Sequence, residues 1–175
     1  TDDVTRLTAI VRALIEASTP TCPVVWPLHP RTRSRLEAYG LLASLNDAVR
    51  LTEPVDYWDM VRLEQSAAAI LTDSGGIQKE AYFHRTPCVT LRDETEWTET
   101  VEAGWNSVVG CDPDRILRAL HDPSPMRHEI ADYGDGHAAE KIVEALLQNE
   151  VVRTPQRDFA ESSAPGQFGR RPSAP

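Results

Sequence analysis

Ile70-Leu71-Thr72-Asp73-Ser74-Gly75-Gly76-Ile77-Gln78-Lys79-Glu80 is the stretch whose reading decides the fold. The residues entering it, Ala68 to Leu71, are small and apolar with no polar alternation, as in a strand covered on both faces. Asp73 and Ser74 offer N-cap oxygens, and Gly75 and Gly76 let a ligand come close to the backbone. Gly76 to His84 can continue as a helix. A strand, a small-residue turn and a helix N-terminus present unpaired N–H groups and the positive end of a dipole, which suits a phosphate. The same residues also fit an ordinary tight strand-to-helix turn, because Ser-Gly-Gly is far less specific than a full phosphate-loop motif.

Outward from this stretch, short apolar segments alternate with helical ones. Val4, Leu7, Ile10, Val11, Leu14 and Ile15 have helical spacing after the capping residues Thr1, Asp2 and Asp3, and Pro20 and Pro23 close that helix near Ser18. Strands are predicted at Val24–Trp26, Val49–Leu51, Ala68–Leu71, Pro87–Leu91 and Ser107–Val109. Helices are predicted near Arg31–Tyr39, Asp56–Ser66, Gly76–His84, Glu99–Ala103, Asp112–Leu120 and from Ala138 to Leu147. Alternation of this kind gives βαβ units, hence an α/β fold with a Rossmann-like parallel sheet and helices on both faces. Ligands of such sheets lie at the carboxyl ends of the strands. The polar turns there are His29-Pro30, Glu53-Pro54, Asp73 to Gly76, and Arg92-Asp93-Glu94. Residues 1–150 read as the folded domain; 151–175, rich in proline, arginine and serine and poor in apolar residues, read as a disordered tail.

The chain has 175 residues, 41% hydrophobic and 26% charged, within the range of a soluble globular domain. Its net charge of -9 argues against a nucleic-acid-binding surface, which needs a basic patch. It does not exclude a nucleotide, which a few N–H donors and one arginine can hold. No run of about 18 apolar residues is present, so no membrane span is expected, and no signal peptide opens the sequence. Cys22, Cys88 and Cys111 are isolated and read as buried thiols in a reducing cytoplasm. No His/Cys/Asp cluster has metal-ligand spacing, so no metal and no other cofactor is expected.

Thr72 to Glu80 resembles the signature of the non-hydrolysing UDP-N-acetylglucosamine 2-epimerases. So do Pro87 to Arg92 with Thr95-Glu96, Gly104-Trp105-Asn106 with Val109-Gly110, and Tyr133 to Gly136, in order and spacing over roughly Thr1 to Asn149. The resemblance implies the C-terminal half of a GT-B-like pair of Rossmann-like domains, read from just after that half's first strand. It implies that Ser74 and the amides of Gly75 and Gly76 bind a diphosphate, that Glu80 accepts both ribose hydroxyls, and that Arg92 offsets phosphate charge. A solvated helix glutamate and a surface arginine are the alternatives for Glu80 and Arg92. His29 stands where the family has a cleft-facing histidine in a His-x-Asn-Pro segment, here His29-Pro30-Arg31-Thr32, so helix capping is equally open. The backbone near Met60 matches the part that approaches the uracil, although a core methionine explains the side chain. The resemblance also implies Glu96 and Trp97 as further cleft contacts, in a Thr95-Glu96-Trp97-Thr98-Glu99 segment where the family commonly has Thr-Glu-Arg-Pro-Glu.

In that family C2 of a UDP-amino sugar is inverted by eliminating UDP and adding it back on the other face. The family's acid/base carboxylates belong to the N-terminal domain, so no catalytic residue is assigned in this chain. The resemblance further implies an isomerase of polysaccharide biosynthesis, a UDP-sugar as partner, and a homodimer when full length. Trp97 in place of arginine leaves open an epimerase for another sugar, such as UDP-2,3-diacetamido-2,3-dideoxyglucuronate. A binding-only or inactive fragment and a GT-B glycosyltransferase are the other readings.

Overall fold

A computed structural model describes residues 3–121 and 127–148. The expected tail at 151–175 lies outside the described residues. The chain divides into two compact units, Thr1–Asp132 and Tyr133–Pro175.

The first unit alternates helix and strand. Helix α1 (Val4–Ala17) is capped by the Asp3 carboxylate, which accepts from the amides of Thr5 and Arg6. It is followed by β1 (Val25–Pro27), α2 (Pro30–Ala38), α3 (Leu42–Ala48), β2 (Arg50–Thr52), α4 (Tyr57–Ser66) and β3 (Ile70–Thr72). Next come α5 (Gly75–Phe83), β4 (Cys88–Thr90), α6 (Thr98–Glu102), β5 (Asn106–Val108) and α7 (Pro113–His121). Tyr39 ends α2, where the predicted Arg31–Tyr39 helix also ends, and Gly40 takes the left-handed backbone (φ +69°) that stops it. Helix α3 was not predicted: it begins directly after Gly40 with no side-chain cap, and burial of Leu45 holds it.

All strand pairs among the described residues are parallel, the α/β arrangement expected. Hydrogen bonding divides them into two ladders, β1–β2 and β3–β4–β5. Val25 of β1 is exposed and Ile70 and Leu71 of β3 are half-buried, whereas every residue of β4, paired on both edges, is buried. Helices pack in two rows: α2 on α3, α3 on α1 and α1 on α7 in one; α4 on α5 and α5 on α6 in the other. Both rows touch β4, through α7 and α5, which explains its burial.

Two apolar clusters fill the interior. Leu7, Ile10, Val11 and Leu14 of α1 join Leu28, Leu36, Leu45 and Val49 in the first; Ala13, Val89, Val109 and Ile116 form the second. Leu71 and Leu91 pack against both. One expectation is overturned here: Cys88 is buried and Cys111 half-buried, but Cys22 is exposed. It sits in a turn where its N–H donates to Thr19 Oγ1 (3.0 Å) and its carbonyl accepts from the Thr19 N–H (3.1 Å), and the flanking Pro20 and Pro23 keep it off the core.

The second unit contains α8 (Ala138–Gln148), with Ile142, Val143, Leu146 and Leu147 exposed. A 3₁₀ turn, Ala131–Tyr133, runs across the boundary in the chain.

Candidate functional site

The turn from β3 into α5 is set by Thr72, whose hydroxyl accepts from the Ser74 N–H at 3.0 Å. Ser74 then occupies the N-cap with extended backbone, yet its hydroxyl makes no cap bond. This corrects the expectation of side-chain capping here. Asp3 and Asp56 do cap α1 and α4 in the usual way. The first amides of α5 are therefore left without a side-chain acceptor, at the positive end of the helix. Gly76 is exposed, and a Cβ there would meet only the Ser74 hydroxyl, at an ordinary 3.8 Å. The fold itself does not require glycine at 76.

Gly75 is different. A Cβ there would collide with the Glu96 carboxylate and lie 3.2 Å from the indole nitrogen of Trp97. The loop after β4 thus folds over the start of α5. Arg92 pairs with Glu96 (Nη1 to Oε2, 2.9 Å), and Lys79 Nζ stands 4.3 Å from the centre of the Trp97 ring. The Trp97 indole N–H is buried without a hydrogen-bond acceptor. Glu96 and Trp97 therefore come together with Gly75, and Arg92 joins them through Glu96.

A buried polar network holds this loop from below. Gln78 Oε1 accepts from the Thr95 hydroxyl (2.5 Å) and from Asn106 Nδ2 (3.0 Å). Asn106 Oδ1 accepts from the Thr90 hydroxyl (2.7 Å), and its Nδ2 also reaches the Thr100 hydroxyl (3.2 Å). Thr95 Oγ1 accepts from the Trp97 N–H (3.1 Å), and the Thr100 hydroxyl donates to the Trp97 carbonyl (2.7 Å). Sequence reading missed Gln78 and Asn106. Their signal was available: both are amides inside otherwise apolar or helical segments of the motif.

Glu80 lies a turn further along α5, half-buried, and faces α4 and the carboxyl of Glu64. Glu64 is 3% exposed, and burial, reinforced by Glu80, pushes its carboxyl up to about 7. Sequence reading missed Glu64 as well, although it falls on the inward side of α4 at helical spacing from Met60 and Val61. His29 is placed as a cap of α2, its Nδ1 accepting from the Arg31 N–H at 3.2 Å. Met60 is half-buried in the first turn of α4, where its N–H donates to the Asp56 carbonyl at 3.0 Å. Arg33 and Glu53, which follow β1 and β2, pair at 2.8 Å.

The site is an open helix N-terminus with small residues, a cation, an indole N–H donor and a carboxylate one turn on. It can neutralise a compact polyanion with amides and one guanidinium while the carboxylate accepts neutral hydroxyls. Among the described residues no group of three or more His, Cys, Asp or Glu side chains could hold a metal ion, and no helix is long and apolar enough to cross a membrane.

Comparison with known proteins adds an independent line. A family model described as UDP-N-acetylglucosamine 2-epimerase matches residues 1–147. A UDP-N-acetylglucosamine 2-epimerase homolog from Methanococcus maripaludis is 45% identical over 150 residues, covering 83% of this chain and 41% of that protein. The UDP-2,3-diacetamido-2,3-dideoxy-D-glucuronate 2-epimerase of Pseudomonas aeruginosa is 45% identical over 152 residues, covering 85% and 41%. The crystal structure of Methanocaldococcus jannaschii UDP-GlcNAc 2-epimerase in complex with UDP-GlcNAc and UDP superposes with a TM-score of 0.72 at 36% identity, covering 85% of this chain and 42% of that one. The chain thus spans about two fifths of the length of the relatives it matches.

Proposed function

The chain belongs to the UDP-N-acetylglucosamine 2-epimerase family, and from that premise we propose that it is the C-terminal, UDP-binding part of an enzyme that inverts C2 of a UDP-linked amino sugar. The observation that carries the proposal is the uncapped start of α5, with Gly75 against Glu96 and Trp97 and with Arg92 paired to that Glu96. Ser74 and the amides of Gly75 and Gly76 hold the diphosphate, Arg92 balances its charge, and Glu80 takes the ribose hydroxyls. His29, Met60, Glu96 and Trp97 border the nucleotide and sugar.

The reaction gives this site a second duty. When the bond between the sugar and UDP breaks, negative charge builds on the leaving diphosphate, and fixed amides at a helix end stabilise charge in place. Retaining UDP also keeps the unsaturated sugar paired with the partner it must rejoin. The groups that move the C2 proton are assigned to the remainder of the longer protein. No metal takes part. The two parallel ladders of the described residues suit a doubly wound sheet. In the cell the full-length protein acts in the cytoplasm as a homodimer.

Trp97 replaces the arginine common at this place in the family, and the Pseudomonas aeruginosa relative named for a diacetamido uronic acid is 45% identical. An indole offers one N–H donor and an apolar face, which suits a bulkier amide-substituted sugar.

The test is deuterium uptake at C2 from heavy water, followed by NMR on UDP-N-acetylglucosamine and on the diacetamido sugar. A form carrying the N-terminal domain should catalyse exchange into one of them, and the 175-residue chain into neither. Exchange by the isolated chain would place the acid/base groups here after all. No exchange by the extended form would remove the epimerase reading.

A further inference from the structure

Glu64 is an anomaly: a carboxyl 3% exposed, on α4, with no hydrogen-bond partner for either oxygen. A dry carboxylate without donors is strongly disfavoured. Its surroundings explain how it persists. From α5, Glu80 faces it, and His84 Nε2 lies 3.4 Å from Glu64 Oε2. Glu80 and His84 are one helical turn apart, joined by the His84 N–H donating to the Glu80 carbonyl at 2.9 Å, so both look toward α4. From β4 the Cys88 thiol is close, pushed up to about 12 by burial and so neutral. On α4 itself Gln65 Nε2 lies 3.4 Å from His84 Nδ1.

Two facing carboxyls attract only when a proton lies between them. Glu64 is the drier of the pair, so the proton belongs to it. Glu80 then keeps enough lone pairs to accept two further hydroxyls.

Resting on the reading of Glu80 as the acceptor of the ribose hydroxyls, we propose that Glu64 is a positioning residue for it. Protonated Glu64 donates to one Glu80 oxygen and holds that carboxylate in the orientation that receives the diol. Loss of the proton puts two negative charges face to face and turns Glu80 away. The ribose contact is therefore strong below neutrality and fades above it. Glu64→Gln keeps a donor at the same place and cannot titrate.

The experiment measures dissociation constants of UDP and 2′,3′-dideoxy-UDP by calorimetry between pH 5.5 and 8.5, on the 175-residue chain and on Glu64→Gln, His84→Gln and Glu80→Gln. Taking wild type relative to Glu64→Gln cancels titration of the phosphates. That ratio should weaken about tenfold for UDP across neutrality and stay flat for the dideoxy ligand. His84→Gln should retain the wild-type profile. The same pH profile in Glu64→Gln, an equal effect on both ligands, or loss of the profile in His84→Gln would each overturn the proposal. If Glu80→Gln fails to separate the two ligands, the ribose assignment itself is wrong. The pairing is then read without ligand, by carbon-13 titration of the Glu64 carboxyl. It should titrate at lower pH in Glu80→Gln, and an unchanged titration would sink the pairing.

Discussion

Asn106 Nδ2 donates to Gln78 Oε1 at 3.0 Å, and both side chains are almost wholly buried. This one bond ties β5 to α5 under the loop that carries Glu96 and Trp97. Through Thr95 and Thr100 it fixes both ends of the Trp97 peptide unit. Replacing Asn106 with alanine strands the Thr90 hydroxyl and one acceptor site of Gln78. Asn106→Ala should therefore cost about 2–3 kcal/mol. Urea unfolding followed by fluorescence measures it, and a change below about 0.5 kcal/mol would show that the network adds nothing.

Glu96 sits where a Cβ of Gly75 would be, so a carboxylate already rests at the helix end proposed for the diphosphate. The two anions compete, and the ligand must also draw Arg92 away from Glu96. Glu96→Gln should tighten UDP binding several-fold, by about 1 kcal/mol. Weaker binding would make Glu96 a ligand contact instead of a rival.

The glycine pair can be separated. Gly75→Ala forces a methyl group into the Glu96 carboxylate, whereas Gly76→Ala meets no close contact. Ser74→Ala combined with Gly75→Ala should weaken UDP binding about tenfold or more, near 1.4 kcal/mol. Gly76→Ala should leave the thermal midpoint near that of wild type while weakening UDP. Unchanged affinity in both variants would move the diphosphate elsewhere.

Ribose recognition has its own signature. Glu80→Gln should weaken UDP more than 2′-deoxy-UDP, since only the first offers both hydroxyls to the lost charge. Equal losses would reduce Glu80 to a helix-surface residue.

Glu64 also sets a pH dependence of stability. Its folded value of about 7 stands above the ordinary 4.5, so below the lower value both states are neutral and nothing is lost. Between 4.5 and about 7 the unfolded chain releases a proton that the folded chain keeps, and stability falls as pH rises. Above that window the loss levels off at about 3 kcal/mol. Glu64→Gln should abolish the decline and be more stable than wild type at pH 8. Parallel unfolding curves for the two proteins at pH 5 and pH 8 would rule this out.

Much of this was legible in the residues because it is local. The periodicity of α1, the end of α2 at Tyr39 and the strand-turn-helix around Ser74 each depend on a handful of neighbours. Helix α3 was hidden because it has no cap and its stability comes from burying Leu45. Sidedness was hidden too. A sequence shows Glu64 as one more charge on a helix, and only the packing of α4 on α5 reveals it as dry. The capping of α5 was misread because Ser74 has the right identity and backbone but leaves its hydroxyl unbonded.

The division of the strands into two ladders bears on how the molecule comes apart. No backbone hydrogen bond of a ladder passes from β1 to β3 among the described residues, so cooperativity between the halves must run through side chains. Helix α1 carries much of it, with Leu7, Ile10, Val11 and Leu14 on one cluster and Ala13 on the other; Leu71 and Leu91 pack against both, Cys111 reaches the first, and Arg6 of α1 pairs with Asp93. Loosening α1 would therefore let the β1–β2 half melt as a separate unit while β3–β5, with the Ser74 turn on it, persists. The turn proposed for the diphosphate would then outlast half of the structure.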